Sequence, residues 1–255
     1  MQDKSINEQL KLLYSGHWEN LIKYGNAIKP IPANPLLIKI NEEEFKKSDL
    51  KVMIFGQETW DWHKFGTSIE NGMNGYEKFF INKNFYNGYK KSAFWKGFNY
   101  FKKEIESRYK NTNITYIWNN ISKIGRNDGK TGVTTDIRNL ERTYFNVIKE
   151  EISILKPDIV IFLTGGRDND LKFNFEDLSF KNIEITNKKI TTRKYSPSSI
   201  LVSKFLPTRS IRTYHPSYFG GFNYIKKDVA NFIKPKMQLV RDLSKANIGY
   251  SPNKI

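Results

Sequence analysis

Leu155-Lys156-Pro157-Asp158-Ile159-Val160-Ile161-Phe162-Leu163-Thr164-Gly165-Gly166 reads as a helix end, a stop, a buried strand and a turn. Proline cannot continue a helix and drives the residue before it out of the α region. Five apolar residues in succession fit a strand covered on both faces. Upstream, Ile137, Leu140, Tyr144, Val147, Ile148, Ile152 and Leu155 share one 3.6-residue stripe, which predicts a single helix running to that stop. Three more short apolar runs, Leu50–Phe55, Ile114–Trp118 and Ser210–Tyr214, join Asp158–Leu163 as predicted strands. Helical patterns occupy the N-terminal segment 1–48, Gly97–Arg108 and Lys226–Lys245, the last bent at Pro235. This alternation predicts an α/β three-layer sandwich with a mainly parallel four-stranded central sheet. At 255 residues, with no repeat or composition break, the chain is expected to form a single domain over 1–255.

The chain carries a net charge of +16. From Lys181 onward, 15 Lys and Arg face only Glu184, Asp228 and Asp242, so twelve of those charges fall in the last 75 residues. Cations that neutralise phosphates release condensed counterions, so a polyanion such as nucleic acid is the expected partner; a solvated lysine-rich surface explains the charge as well. Without cysteine there is no disulfide, thiolate nucleophile or Cys-ligated cluster, and a reducing cytoplasm is expected. The polar start Met1–Ser5 predicts no signal peptide, and no apolar run is long enough to span a bilayer. The three histidines, His17, His63 and His215, are scattered, so neither a metal nor a cofactor is expected. A monomer is expected.

In open parallel sheets, ligands bind beyond the carboxyl ends of the strands. The first strand is followed there by Gly56-Gln57-Glu58-Thr59-Trp60-Asp61-Trp62-His63, the second by Asn119-Asn120-Ile121-Ser122-Lys123. The third ends in Thr164-Gly165-Gly166, and the fourth in His215-Pro216-Ser217-Tyr218-Phe219-Gly220-Gly221-Phe222. Each group alone has an ordinary explanation as a cap, a turn or packing. Their joint position after four successive core strands is more specific.

This arrangement resembles the uracil-DNA glycosylase superfamily over roughly Leu50 to Phe222. Gly56-Gln57 and His215-Pro216-Ser217 match that family's first and last motifs, and Asn120, or its neighbour Asn119, matches the base-reading Asn. The resemblance implies a glycosylase-like fold that extrudes a uracil-type base and hydrolyses its bond to deoxyribose. It implies His215 beside the base oxygen, Asn120 or Asn119 on the base edge, and the main chain around Gln57 and Glu58 on a second oxygen. A carboxylate for the water and the cationic sugar is Glu58 or Asp61. Phe219 stands where relatives place an apolar wedge, with Ser217, Gly220, Gly221, Lys226 and Lys227 near the DNA backbone. Phe65 is the expected stacking aromatic.

Two departures bear on the base. Thr59, Trp60 and Asp61 replace the family's Pro, Tyr and His, and Trp60 occupies the position that excludes thymine in relatives. The segment 167–209 exceeds what compact members need and is expected to insert a hairpin before the last core strand, with arms near Lys181–Ile185 and Lys189–Thr192. A bulky 5-substituted cytosine of phage DNA is therefore an alternative target, with a defence role in a bacterial or phage-associated setting. A catalytically silent DNA-binding module and an unrelated α/β enzyme acting on a small nucleotide are the rival readings.

Overall fold

A computed structural model describes residues 4–186 and 198–233. The predicted strands appear as β1 (Leu50–Gly56), β2 (Ile114–Asn120), β3 (Ile159–Phe162) and β6 (Arg209–Arg212), all parallel. The sheet has six strands rather than the expected four, in the order β2-β1-β3-β6-β5-β4. The extra pair comes from segment 167–209: β4 (Ser179–Asn182) pairs antiparallel with β5 (Ser199–Val202), and β5 continues antiparallel onto β6. A hairpin beside β6 has a ready partner in that strand's free edge, so it extends the sheet instead of standing apart. The arm expected at Lys189–Thr192 and the part of the last expected helix beyond Ile233, with its bend at Pro235, lie outside the described residues.

Side chains alternate along a strand, and this sorts the helices into layers. On one face, α4 (Ala93–Arg108) brings Phe94 against Gly56 and Trp95 against Trp118. On the other, Asn119 lies beside Met53 and meets Glu151 of α6 (Ile148–Leu155). α1 (Ile6–Gly25) packs with α5 (Thr135–Tyr144) and α6, and α8 (Phe219–Asn231) packs with α4. Two helical layers therefore enclose the sheet. No helix among the described residues is long and apolar enough to cross a membrane.

Two expectations are corrected. The stripe from Ile137 to Leu155 is carried by two helices, interrupted at Phe145–Val147. The break lets the fully buried Phe145 ring insert between Tyr14, His17 and Trp18 of α1, a contact a continuous helix would not offer. Among its described residues, segment 1–48 is helical only in α1 and α2 (Glu42–Lys47); between them the chain is irregular yet buries Leu36, Leu37 and Ile38 completely. The Lys156-Pro157 stop behaves as read: Lys156 closes α6 at φ +43.

A polar network is sealed behind β2. Lys123 Nζ donates to Glu151 Oε1 (2.7 Å) and Asn119 Oδ1 (2.8 Å); Asn119 Nδ2 and the Tyr14 hydroxyl donate to the two Glu151 oxygens. All four side chains are fully buried. Burial pulls the Lys123 pKa down and pushes that of Tyr14 up, as desolvation requires. Removing one member of such a pair strands the other charge without water. Lys123→Met is expected to lower stability by about 3–5 kcal/mol in urea denaturation, with part of it recovered in Lys123→Met/Glu151→Met. A single variant as stable as the parent would contradict the network.

Candidate active site

The loops after β1, β3 and β6 meet at one point. Gln57 Nε2 donates to Thr164 O (2.8 Å), and Gly165 N–H donates to Thr213 O (3.0 Å). Gly165 adopts φ +62, and a Cβ there would lie 3.4 Å from His215 N and 3.9 Å from Gln57 Nε2. Glycine alone reaches this conformation at no cost and leaves room for both neighbours. The loop after β2 joins through Ile121 N–H to Gly56 O (3.1 Å) and Ser122 N–H to Gln57 O (2.8 Å). Glu141 holds that loop from below, accepting the N–H groups of Lys123 and Ile124; burial raises its pKa to about 7 against those bonds.

Strand alternation separates the two asparagines. Asn119 faces α6 and is consumed by the buried network, so it is unavailable to a ligand. Asn120 faces α4 and is 2% exposed; its Oδ1 accepts from Trp118 Nε1 (3.3 Å), while its Nδ2 has no partner. A buried amide N–H without a partner costs free energy unless something binds it. Beside it stands Phe94: a Cβ on Gly56 would fall 2.5 Å from Asn120 Oδ1 and 3.0 Å from the Phe94 ring. One turn on along the same face of α4, Gly97 receives Pro216, the residue after His215. The first turns of α4 thus tie the Asn120 side of the site to the His215 side.

His215 Nδ1 lies 2.6 Å from Ser217 Oγ and accepts the Ser217 N–H (3.2 Å). That bonding assigns the proton of the neutral ring to Nε2. Burial, and then the Arg167 guanidinium, hold the imidazole pKa down at about 4. At neutral pH His215 is an uncharged N–H donor.

Glu58 is brought to this group and Asp61 is not. Glu58 Oε2 pairs with Arg167 (2.8 Å) and Oε1 accepts Gly132 N–H (3.0 Å), with both side chains mostly buried. Asp61 is exposed at φ +46, and its Oδ1 accepts Gly129 N–H (3.2 Å), anchoring the loop 126–132. Trp60 is 54% exposed, and its main chain bridges to Arg126. Among the described residues, no three His, Asp or Glu side chains gather to hold a metal ion.

Several expected residues have other contacts. Phe65 is buried against Gly25 and Leu140 as a core residue, and Phe94 is the aromatic beside Asn120. Gly221 sits under the Tyr214 and Tyr218 rings and gives its N–H to Tyr218 O (3.0 Å), which removes that donor from any phosphate. Ser217 is committed to His215. Lys226 Nζ bonds Asn223 and lies 4.9 Å over the Tyr100 ring, while Lys227 is exposed. Phe219 and Gly220 open α8; the wedge expected at Phe219 depends on a side chain outside those described.

Phe94 and Arg167 were not singled out from the sequence. Ser92, which caps α4, and Gly97, three residues after Phe94, were the available signals for the first. Compared with protein-family models and with curated proteins, the chain matches neither a model nor a protein. With only three histidines, the His215 environment is open to direct measurement. An NMR titration is expected to place His215 near pH 4 in the Nε2–H tautomer, and Arg167→Gln to move it upward by removing a repelling cation. Titration at the ordinary histidine value would refute the geometry.

Proposed function

We propose that this chain is a DNA glycosylase, a divergent relative of the uracil-DNA glycosylase superfamily, that excises an extruded uracil-type or modified pyrimidine base. The carrying observation is the α4 face that seats Phe94 beside the unpartnered Asn120 amide and, one turn later, buttresses the loop bearing the neutral His215. A flat aromatic, a free amide donor and an uncharged N–H donor are the groups a flipped base requires.

In this reading the base stacks on Phe94 while Asn120 Nδ2 donates to a carbonyl on its edge. Asn120 Oδ1, with one lone pair given to Trp118, accepts a ring N–H through the other. As the glycosidic bond breaks, its electrons move into the base, and His215 Nε2–H donates to the oxygen where that charge collects. A neutral donor suits this task because it binds the developing anion without itself being a cation held in a buried site. Glu58 has two acceptor positions beyond those used by Arg167 and Gly132, enough to orient the water that adds to the sugar carbon. The basic surface, Lys226 and Lys227 included, supplies phosphate contacts.

The exposure of Trp60 favours a second reading of the substrate. Relatives wall off the pyrimidine 5-position at this point with a Tyr, and here a Trp 54% exposed takes that place. A ring with so few packing contacts is compatible with a bulky 5-substituent, as in glucosylated hydroxymethylcytosine, and with it a role in defence against phage.

The test is a panel of oligonucleotides bearing uracil, hypoxanthine, 5-hydroxymethylcytosine or its glucosylated form, scored for alkali-labile sites. At least one pyrimidine is expected to be released. Asn120→Ala or His215→Ala is expected to cost about 10²–10³-fold in rate, and Phe94→Ala about tenfold or more from lost stacking. Intact strands across the panel, with DNA binding that weakens as salt rises, would overturn the reading in favour of a silent DNA-binding module.

A further inference from the structure

A groove of about 480 Å³ runs along the outer edge of β2, between the segment 39–48 on one side and the residues 76–86 with α4 on the other. β2 pairs only with β1 among the described strands. Ile121 N–H reaches back to Gly56, so odd-numbered residues of this strand bond toward β1. Even-numbered residues point their main-chain groups the other way. At Trp118 both are taken, because the Tyr76 hydroxyl donates to its C=O (2.9 Å) and accepts from its N–H (3.0 Å). Ile114 and Tyr116 share that phase, and among the described residues their N–H and C=O groups have no partner. An unpartnered edge set in a groove is a template for another strand.

The groove is positively charged. Lys39, Lys47, Lys83 and Lys102 line it together with the carboxylate of Glu44. Lys39 is paired with Glu77 and Lys102 with Glu106, so the unneutralised charge is that of Lys47 and Lys83, which are exposed and form no ion pair among the described residues. The wall on the α4 side is aromatic, with Phe80, Tyr86 and Phe98.

We propose that this groove binds an extended, acidic peptide segment of a partner protein as a seventh strand along β2. Such a segment offers both donors and acceptors to Ile114 and Tyr116, and alternate side chains then face the two walls. A nucleic-acid strand would satisfy the lysines, but its backbone does not repeat the paired N–H and C=O groups, two residues apart, that Ile114 and Tyr116 present. A second copy of this chain would bring one lysine set against another. Tyr76 closes the groove at Trp118, before Asn120, so the site is separate from the candidate active site and does not rest on its chemistry.

The test uses the full chain and an array of fluorescein-labelled heptapeptides with Asp or Glu at every second position and Val, Ile, Phe or Tyr between. Saturable anisotropy is expected from members of the array. N-methylation of a binder at one set of alternate residues is expected to weaken it at least tenfold, and at the other set to leave it unchanged. Lys47→Glu/Lys83→Glu, with folding checked by circular dichroism, is expected to weaken it at least tenfold while sparing any base release. The proposal is overturned if no member binds, if N-methylation acts without that two-residue period, if a single-stranded oligonucleotide displaces the peptide, or if the charge-reversed variant binds equally well.

Discussion

The pairing of Lys123 with Glu151 behind β2 is the constraint on which the site depends. Its two charges cannot reach water, so each must keep the other and the asparagine amide that bridges them. Asn119 is thereby pinned to the α6 face, and pleating forces the next residue to the opposite one. Asn120 presents its amide beside Phe94 because its neighbour is immobilised in the core. The same pair anchors the loop that follows: Lys123 lies in it, and Glu141 binds its main chain from α5. A catalytic-type amide positioned by its strand neighbour is more rigid than one held by its own loop.

On the His215 side the control is electrostatic. Arg167 sits between a carboxylate and an imidazole, paired with the first and repelling a proton from the second. Losing this cation would free Glu58 from its ion pair and let His215 charge more easily, so one side chain holds the first and sets the protonation of the second. Ser217 completes the arrangement by fixing which ring nitrogen carries the proton. These are features of a preorganised donor, in which the polar groups are oriented before a ligand arrives.

Strands, stops and the four polar clusters were legible because they are local. Val52–Phe55 and Ile159–Phe162 are apolar runs that no helix pattern explains, and Pro157 ends a helix in any context. What escaped was decided by contacts across the fold. Phe65 and Phe94 are equally aromatic in sequence; only the packing of Gly25 and Gly56 assigns one to the core and the other to the site. The helix break at Phe145 belongs to α1, which receives that ring. Arg167 follows a glycine turn that was recognised, yet its importance comes from residues over 40 and over 100 positions away, His215 and Glu58. A hairpin was legible in the segment 167–209, but its place in the sheet was not, because β5 gains it only by pairing with β6.

α4 joins these parts. Its first turn walls the site with Phe94, its second accepts Pro216 through Gly97, and its next residues, Phe98 and Lys102, line the groove beside β2. Both features therefore rest on one helix whose inner face is fastened to Trp118 by Phe94 and Trp95. A side chain larger than glycine at position 97 would collide with Pro216 and push apart the two halves of the site at once. Close packing makes that coupling unavoidable, because an interior at crystal-like density transmits a displacement instead of absorbing it. The geometry around Asn120 and His215 is thus a property of the whole α4 face, and added volume at Gly97 would disturb both sides of it.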